Sequence, residues 1–310
     1  MNKLKTIIKR LWFILFAGIA FITLFIISVN YNVSNLFGGM PSLQDLEKPE
    51  SELSSELYSS DNILLGKYFR YNRSPVKFNE LSDELVTTLL VTEDIRFYEH
   101  SGIDLKGLVR ATYGVVKNVA TFGSSGLEGG GSTITQQLAK NLFKIRREKK
   151  GALSKVPFLG LIISKVKEWI VAIKLEEFYT KKEILAMYLN TAEYGSNSYG
   201  IKVAAKTYFD KEPSELNYNE SSIIVGLLNK PTKYNPFFNP DNATEKRAEI
   251  FYNLYKYNVV NKVDYDSLIL SDLNLNYKVQ NQNVGQATYF RTVVRNYLIS
   301  WAKAVSYTHL

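Results

Sequence analysis

The sequence predicts a mainly α-helical protein, tethered by one N-terminal transmembrane helix and carrying a short β hairpin ahead of its helices. Three observations lead there. Leu11 to Val29 (LWFILFAGIAFITLFIISV) is a 19-residue run without a charge, long enough to cross a hydrocarbon core as a helix. From Leu81 to about residue 300 the apolar residues recur with a helical period, and no fixed-period repeat intervenes. Between these stretches, ELYSSDNILLGKYFRY places two strand-like runs around a turn at Ser60-Asp61-Asn62. The 310 residues leave room for about two domains. Hydrophobic residues at 45% and charged residues at 22% exclude wholesale disorder and collagen-like or coiled-coil repeats.

Each element follows in chain order. The first ten residues carry Lys3, Lys5, Lys9 and Arg10 and no acid, so the flank stays cytoplasmic and everything after about residue 30 lies outside. A cleaved signal peptide is the alternative. It is disfavoured because the run exceeds a usual signal core and no A-x-A-like site follows. Asn30 to about Ser60 is polar and rich in Ser, Pro, Gly and Glu, and reads as a stalk. The net charge of +8 favours an anionic partner: nucleic acid, lipid headgroups or phosphate. An extracytoplasmic location weakens nucleic acid and strengthens lipid phosphate. With no cysteine and only His100 and His309, disulfide scaffolds, thiolate zinc sites, cysteine nucleophiles and histidine-rich metal centres are all excluded.

The helix opened by Ser82 stacks Leu85, Leu89, Glu93 and Phe97 at successive i+4 steps. Glu93 therefore continues an apolar stripe, a partly desolvated setting that suits a general base or acid. A glutamate snorkelling at the stripe's edge is the plainer alternative. Thr121 to Gly131 contains five glycines and reads as a mobile loop. It feeds GGGSTITQQLAKN, in which Thr133 and Gln136 fit a T-x-x-Q capping box and Ile134, Leu138 and Leu142 form the buried stripe. The helix N-terminus, with Ser132, Gln136 and Lys140 as further donors, suits a phosphate or pyrophosphate. It is neither a Walker A loop nor a nucleophile elbow. Asn141 to Ile163 joins Lys144, Arg146, Arg147, Lys149 and Lys150 to an apolar VPFLGLII. It reads either as a surface loop before a core helix or as a segment dipping into the outer leaflet. A third helix, about Ser164 to Phe178, puts Glu168 between Ser164 and Ala172, small neighbours that leave space for a ligand, with Lys165 and Lys167 beside it. A fourth starts with the capping box Thr180-Lys181-Lys182-Glu183, runs to Asn190 and precedes a turn-rich Glu193 to Gly200. Taken singly, each of these is an ordinary helix face.

Order and combination say more. EDIRFYEHSGID, GGGSTITQQLAKN, KVKEWIVAIKLE, MYLNTAEYGSNSYGIKVAAKTYFDK and SIIVGLLNKPTKYNP occur in succession. They resemble the five motifs of the family 51 glycosyltransferases, the peptidoglycan glycan polymerases found in class A penicillin-binding proteins and as stand-alone enzymes. The resemblance covers roughly residues 40 to 255. It implies a lysozyme-like helical lobe with a small membrane-contacting jaw, in a single-pass protein of the cytoplasmic membrane whose enzyme part is extracytoplasmic. The implied boundaries are a cytoplasmic tail over 1–10, the transmembrane helix over 11–29, stalk and strands over 30–80 and the transferase over 81–255, with its jaw at about 105–163. Residues 256–310 are then a linker toward an absent transpeptidase domain, because Gln286 to Phe290 with Val293, Val294 and Arg295 resembles the segment joining the two domains in bifunctional members.

The implied reaction polymerises lipid II into β-1,4-linked strands with inversion and release of undecaprenyl diphosphate. Glu93 matches the glutamate that takes the proton from the acceptor's GlcNAc 4-hydroxyl. Glu168 matches the second glutamate, on the pyrophosphate side, where a divalent metal, Mg or Mn, is one option; no organic cofactor is implied. Lys140 and Lys165 match residues that contact the diphosphate. Ser132, Thr133, Gln136, Gln137 and Asn190 match the polar lining, and Asp94, Phe97, His100 and Gly102 shape the site. Two departures stand out: Ser164 replaces an arginine that opens motif three, with Lys165, Lys167 or Arg147 as substitutes, and Ala186 replaces an acid in motif four. The implied partners are lipid II, the growing strand, the outer leaflet and cell-wall synthesis proteins. A lysozyme-like glycan-cleaving enzyme, which has no need of a diphosphate site, and a non-catalytic cell-wall scaffold are the rival readings. The three S-x-x-K matches lack a K-T-G and read as chance. Val305 to Leu310 fits no pattern.

Overall fold

Helix α1 (Asn2–Asn30) joins the basic start and the apolar run without interruption, in a computed structural model that describes residues 2–47, 55–68, 74–120, 131–143, 145, 151–278 and 288–304. The stretch Leu4–Asn30 is long and apolar enough to cross a membrane. Its large side chains from Leu11 to Leu24 stand exposed, a surface that suits lipid rather than water. Beyond α1 the chain is mainly helical, and it divides into two compact units. The first comprises Met1–Pro49 and Tyr98–Thr180, the second Glu50–Phe97 and Lys181–Leu310.

In the first unit, α4 (Leu105–Ala120) follows Asp104, whose carboxylate accepts the Gly107 N–H and caps the helix. α5 (Ile134–Leu142) packs along α6 (Pro157–Phe178), and Thr135 Oγ1 donates to Glu176 across the pair at 2.6 Å. Proline at the first turn of α6 supplies the fixed φ that a helix start tolerates. The apolar VPFLGLII forms the opening of α6, which starts at Pro157 rather than near Ser164: Gly160 and Ile163 face inward while Phe158 and Leu161 point out.

The stalk reading needs correction. Residues 33–35 form a 3-10 turn and α2 is a short helix (Leu43–Glu47). Phe37 and Leu46 are buried, and α2 packs on α6. Phe37 joins Val29, Ile163 and Val166 in one apolar cluster, so burial of two large side chains turns a polar-looking stretch into packed structure.

In the second unit, β1 (Ser55–Tyr58) and β2 (Leu64–Tyr68) pair antiparallel as the sequence predicts. Asn62 takes the left-handed turn position, φ 61°, that asparagine tolerates. The Ser82 hydroxyl accepts the Leu85 N–H and starts α3 (Asp83–Glu93), which buries Leu85, Leu89 and Val91. α3 packs with α9 (Tyr218–Asn229) and α10 (Pro240–Lys256), while α7 (Lys181–Thr191) and α8 (Ile201–Phe209) complete the unit's inner helices. Phe251, Leu254 and Val260 close a core beneath Val91, with Leu268 of α11 (Lys262–Leu270) against it. The following segment is tied down rather than loose. Arg247 donates to the carbonyls of Ser271 and Asp272 and to Asn219, and Lys278 N–H reaches Thr207 O. α12 (Thr288–Ala304) ends the described chain.

Candidate active site

The first unit gathers three of the expected residues around the ammonium group of a fourth, Lys165. Lys165 Nζ donates to Ser132 Oγ at 2.7 Å, to Gln136 Oε1 at 2.8 Å and to Glu168 Oε2 at 3.2 Å. α6 puts Lys165 and Glu168 one turn apart on one face, as their i,i+3 spacing requires. The Glu168 side chain is 2% exposed and that of Lys165 26%, so the acid is enclosed while the lysine side chain stays partly open to solvent. Ser164, at the position of the missing arginine, is buried and donates back to Gly160 O.

Gly102 explains why a motif-one glycine belongs to this cluster. Its φ is +87°, and a Cβ would lie 2.8 Å from the Ala172 backbone carbon. Its carbonyl accepts from Thr133 Oγ1 at 2.8 Å and from Gln136 Nε2 at 3.0 Å. The capping box at α5 is thus only half formed. Thr133 accepts the Gln136 N–H, but the Gln136 side chain bridges Gly102 O and Lys165 instead of returning to the cap. The open ligand space expected beside Glu168 is also corrected, because Ala172 is fully buried under Gly102. Gly102→Ala combines a strained φ with a backbone overlap, and should lower stability by about 2–4 kcal/mol, read as a fall in thermal midpoint. Gln137 and Lys140 lie half-buried along α5, Lys140 in its last turn. Lys167 points elsewhere: it is buried and donates to Gly38 O and Gly39 O, so it does not substitute for the arginine. Arg147 and the other basic residues of 144–150, like the glycine-rich 121–130, lie outside the described residues.

The second unit carries Glu93, half-buried in the last turn of α3. Asp94 caps that helix and is buried, and its carbonyl accepts the Phe97 N–H. Phe97 is fully buried with Lys181 Nζ 4.2 Å from its ring centre, a cation–π contact. Tyr188 on α7 is a residue that sequence reasoning passed over. Its phenol is fully enclosed; burial first, then the negative charge of Glu93 and the neighbouring Tyr194, hold its proton far above the usual tyrosine value. It stays a neutral hydrogen-bonding group within electrostatic range of Glu93. The sequence signal was Tyr188 inside MYLNTAEYG, one helical turn after Ile184 and Leu185, which looks like core. Asn190, expected in the polar lining, instead clasps Val76, accepting its N–H at 3.0 Å and donating to its carbonyl at 2.8 Å. His100, half-buried, belongs to the first unit, and Ala186 is buried in α7.

Among the described residues no group of three or more carboxylates, histidines or cysteines lies together; Glu168 is the carboxylate of the first-unit cluster. The donors are one carboxylate, one amide oxygen and one hydroxyl, and the Lys165 ammonium already lies among them.

A family model described as transglycosylase matches residues 61–255. Penicillin-binding protein 1A of Pseudomonas aeruginosa is 30% identical over 269 residues, 87% of this chain and 30% of that protein. The Escherichia coli protein of the same name is 33% identical over 238 residues, 77% of this chain and 26% of its own length. Penicillin-binding protein 1F of Bacillus subtilis is 34% identical over 229 residues, covering 74% of this chain and 29% of that protein. The chain thus spans about a third or less of the length of these relatives. A crystal structure of penicillin-binding protein 1A from Haemophilus influenzae superposes with a TM-score of 0.43 at 20% identity, over 81% of this chain and 25% of that one.

Proposed function

We propose that this chain, which belongs to the transglycosylase family, is a membrane-anchored peptidoglycan glycosyltransferase that polymerises lipid II. The observation that carries the reading is the Lys165 cluster. A partly exposed lysine whose ammonium is held by a buried carboxylate and two polar side chains suits a departing lipid diphosphate. Glycan cleavage has no comparable anion to stabilise.

In the proposed reaction the Glu93 carboxylate accepts the proton of the acceptor's GlcNAc 4-hydroxyl. That oxygen forms the new bond to the anomeric carbon of the donor's MurNAc while the carbon–oxygen bond to the diphosphate breaks. Attack from the opposite side inverts the centre to β and frees undecaprenyl diphosphate. Lys165 takes up the charge that develops on the leaving group, with Ser132 hydrogen-bonded to it and Lys140, in the last turn of α5, as a second cation for the diphosphate. Tyr188 keeps a neutral dipole near Glu93. Glu168 holds Lys165 in place.

The exposed apolar residues of the first unit support a jaw that touches the outer leaflet. Leu105, Val109 and Tyr113 recur at i+4 on α4, and Phe158 and Leu161 open α6. On this reading α1 spans the cytoplasmic membrane, and the chain beyond it lies outside with lipid II and the growing strand. Purified full-length chain given lipid II should yield β-1,4 glycan and free undecaprenyl diphosphate. Shortening of finished strands without polymer formation, or lipid II binding without product, would contradict the assignment.

A further inference from the structure

Helix α6 has a second face. Ile163, Val166, Lys167 and Ile170 recur at i, i+3, i+4 and i+7 and meet the end of α1 and its exit loop, through Phe25, Ile26, Val29 and Phe37. At 100° per residue, Lys167 lies about 160° around the helix from Lys165, so one helix carries the membrane helix on one side and the Lys165–Glu168 pair on the other.

The exit loop is bound from several directions. Leu153 N–H donates to Leu36 O at 2.9 Å, Ser154 Oγ donates to Phe37 O at 2.6 Å, and Lys167 Nζ donates to Gly38 O at 2.8 Å and Gly39 O at 3.1 Å. Gly151 lies so close to the backbone of Leu36 to Gly38 that a Cβ there would overlap it. Lys167 is 7% exposed, and its contacts here are carbonyls, not an acid. Burial pushes its ammonium below the usual lysine value. A lysine is a costly way to fill an apolar stripe, and its return is two charge-assisted hydrogen bonds to a loop that would otherwise hang from the membrane helix.

We infer that Lys167 is a positioning residue: with Gly151 and Ser154 it clamps the exit loop of the membrane helix to α6, so that the bilayer sets the height and tilt of Lys165 and Glu168. This rests on the glycosyltransferase reading for its consequence, but the clamp itself is testable apart from it. A site held at fixed height meets a diphosphate at the headgroup level only if the substrate is itself fixed in the bilayer. A short-chain, water-soluble donor finds the site wherever it is.

Full-length chain in vesicles should therefore separate two substrates. Lys167→Met is expected to lower turnover of co-reconstituted long-chain lipid II by roughly ten- to a hundredfold. It should leave turnover of a soluble short-chain analogue within about twofold, because displacement rather than lost chemistry is the defect. Gly151→Ala, which opens the clamp from the other side, should reproduce the split. The chain has no cysteine, so Ile22→Cys in α1 and Glu177→Cys in α6 can carry spin labels cleanly. Their distance distribution should be narrow in the parent and broad in both variants. Equal losses on the two substrates, or unchanged distances in both variants, would overturn the clamp. A parent chain that makes glycan from neither substrate would sink the functional reading, and the distances would then decide the clamp.

Discussion

Glu93→Gln is expected to lower glycan polymerisation by about 10²–10⁴-fold, the range for losing a positioned proton acceptor, with little change in thermal midpoint. The amide keeps the shape and the hydrogen-bonding capacity of the side chain but cannot hold the acceptor's proton. Stability should barely move, because Glu93 occupies the last turn of α3 and is half-buried, whereas Leu85, Leu89 and Phe97 make the core contacts. Lipid II binding should persist in this variant, since only proton transfer is removed. Turnover at parental rates would reassign the base.

Lys165→Ala should affect both activity and stability. Removing a donor aimed at developing negative charge costs about 10²–10³ in turnover. The same change leaves Glu168, 2% exposed, without the ammonium beside it, and strands acceptor groups on Ser132 and Gln136. A destabilisation of about 1–3 kcal/mol should follow. The two effects separate in the pair Lys165→Met with Glu168→Gln. Removing the buried charge together with its partner should recover most of the thermal midpoint while turnover stays low. Recovery of turnover in that pair would mean that Lys165 serves folding and not the leaving group.

What was legible in the sequence was what depends on neighbours along the chain. The apolar run that becomes α1, the hairpin about Ser60 to Asn62 and the Ser82 cap are settled within a few residues by hydrophobicity, turn chemistry and hydrogen bonding to the next turn. Features that depend on what packs opposite were not legible. T-x-x-Q at Thr133 describes a capping box as well as it describes a glutamine reaching Gly102 and Lys165, and only the approach of Gly102 to Ala172 decides between them. Residues 36–47 look like stalk because their polar side chains outnumber Phe37 and Leu46, the two that bury. Lys165 and Lys167 are two positions apart and the same residue type, yet helical rotation sends one to Glu168 and the other to the exit loop. Asn190 was assigned to the lining by motif, whereas its amide fits the backbone of Val76. Tyr188 was passed over because an aromatic at helical spacing reads as core, which by burial it is.

The division of labour between Glu93 and Lys165 is tested most directly by changing the leaving group. Turnover of the parent chain, Glu93→Gln and Lys165→Ala should be compared on lipid II and on the same disaccharide donor carrying an α-fluoride in place of the lipid diphosphate. If Lys165 serves the diphosphate, its variant should recover to within about threefold of the parent on the fluoride, while Glu93→Gln stays depressed on both donors. Equal depression of Lys165→Ala on both donors, or recovery of Glu93→Gln on the fluoride, would contradict the assignment of base and cradle.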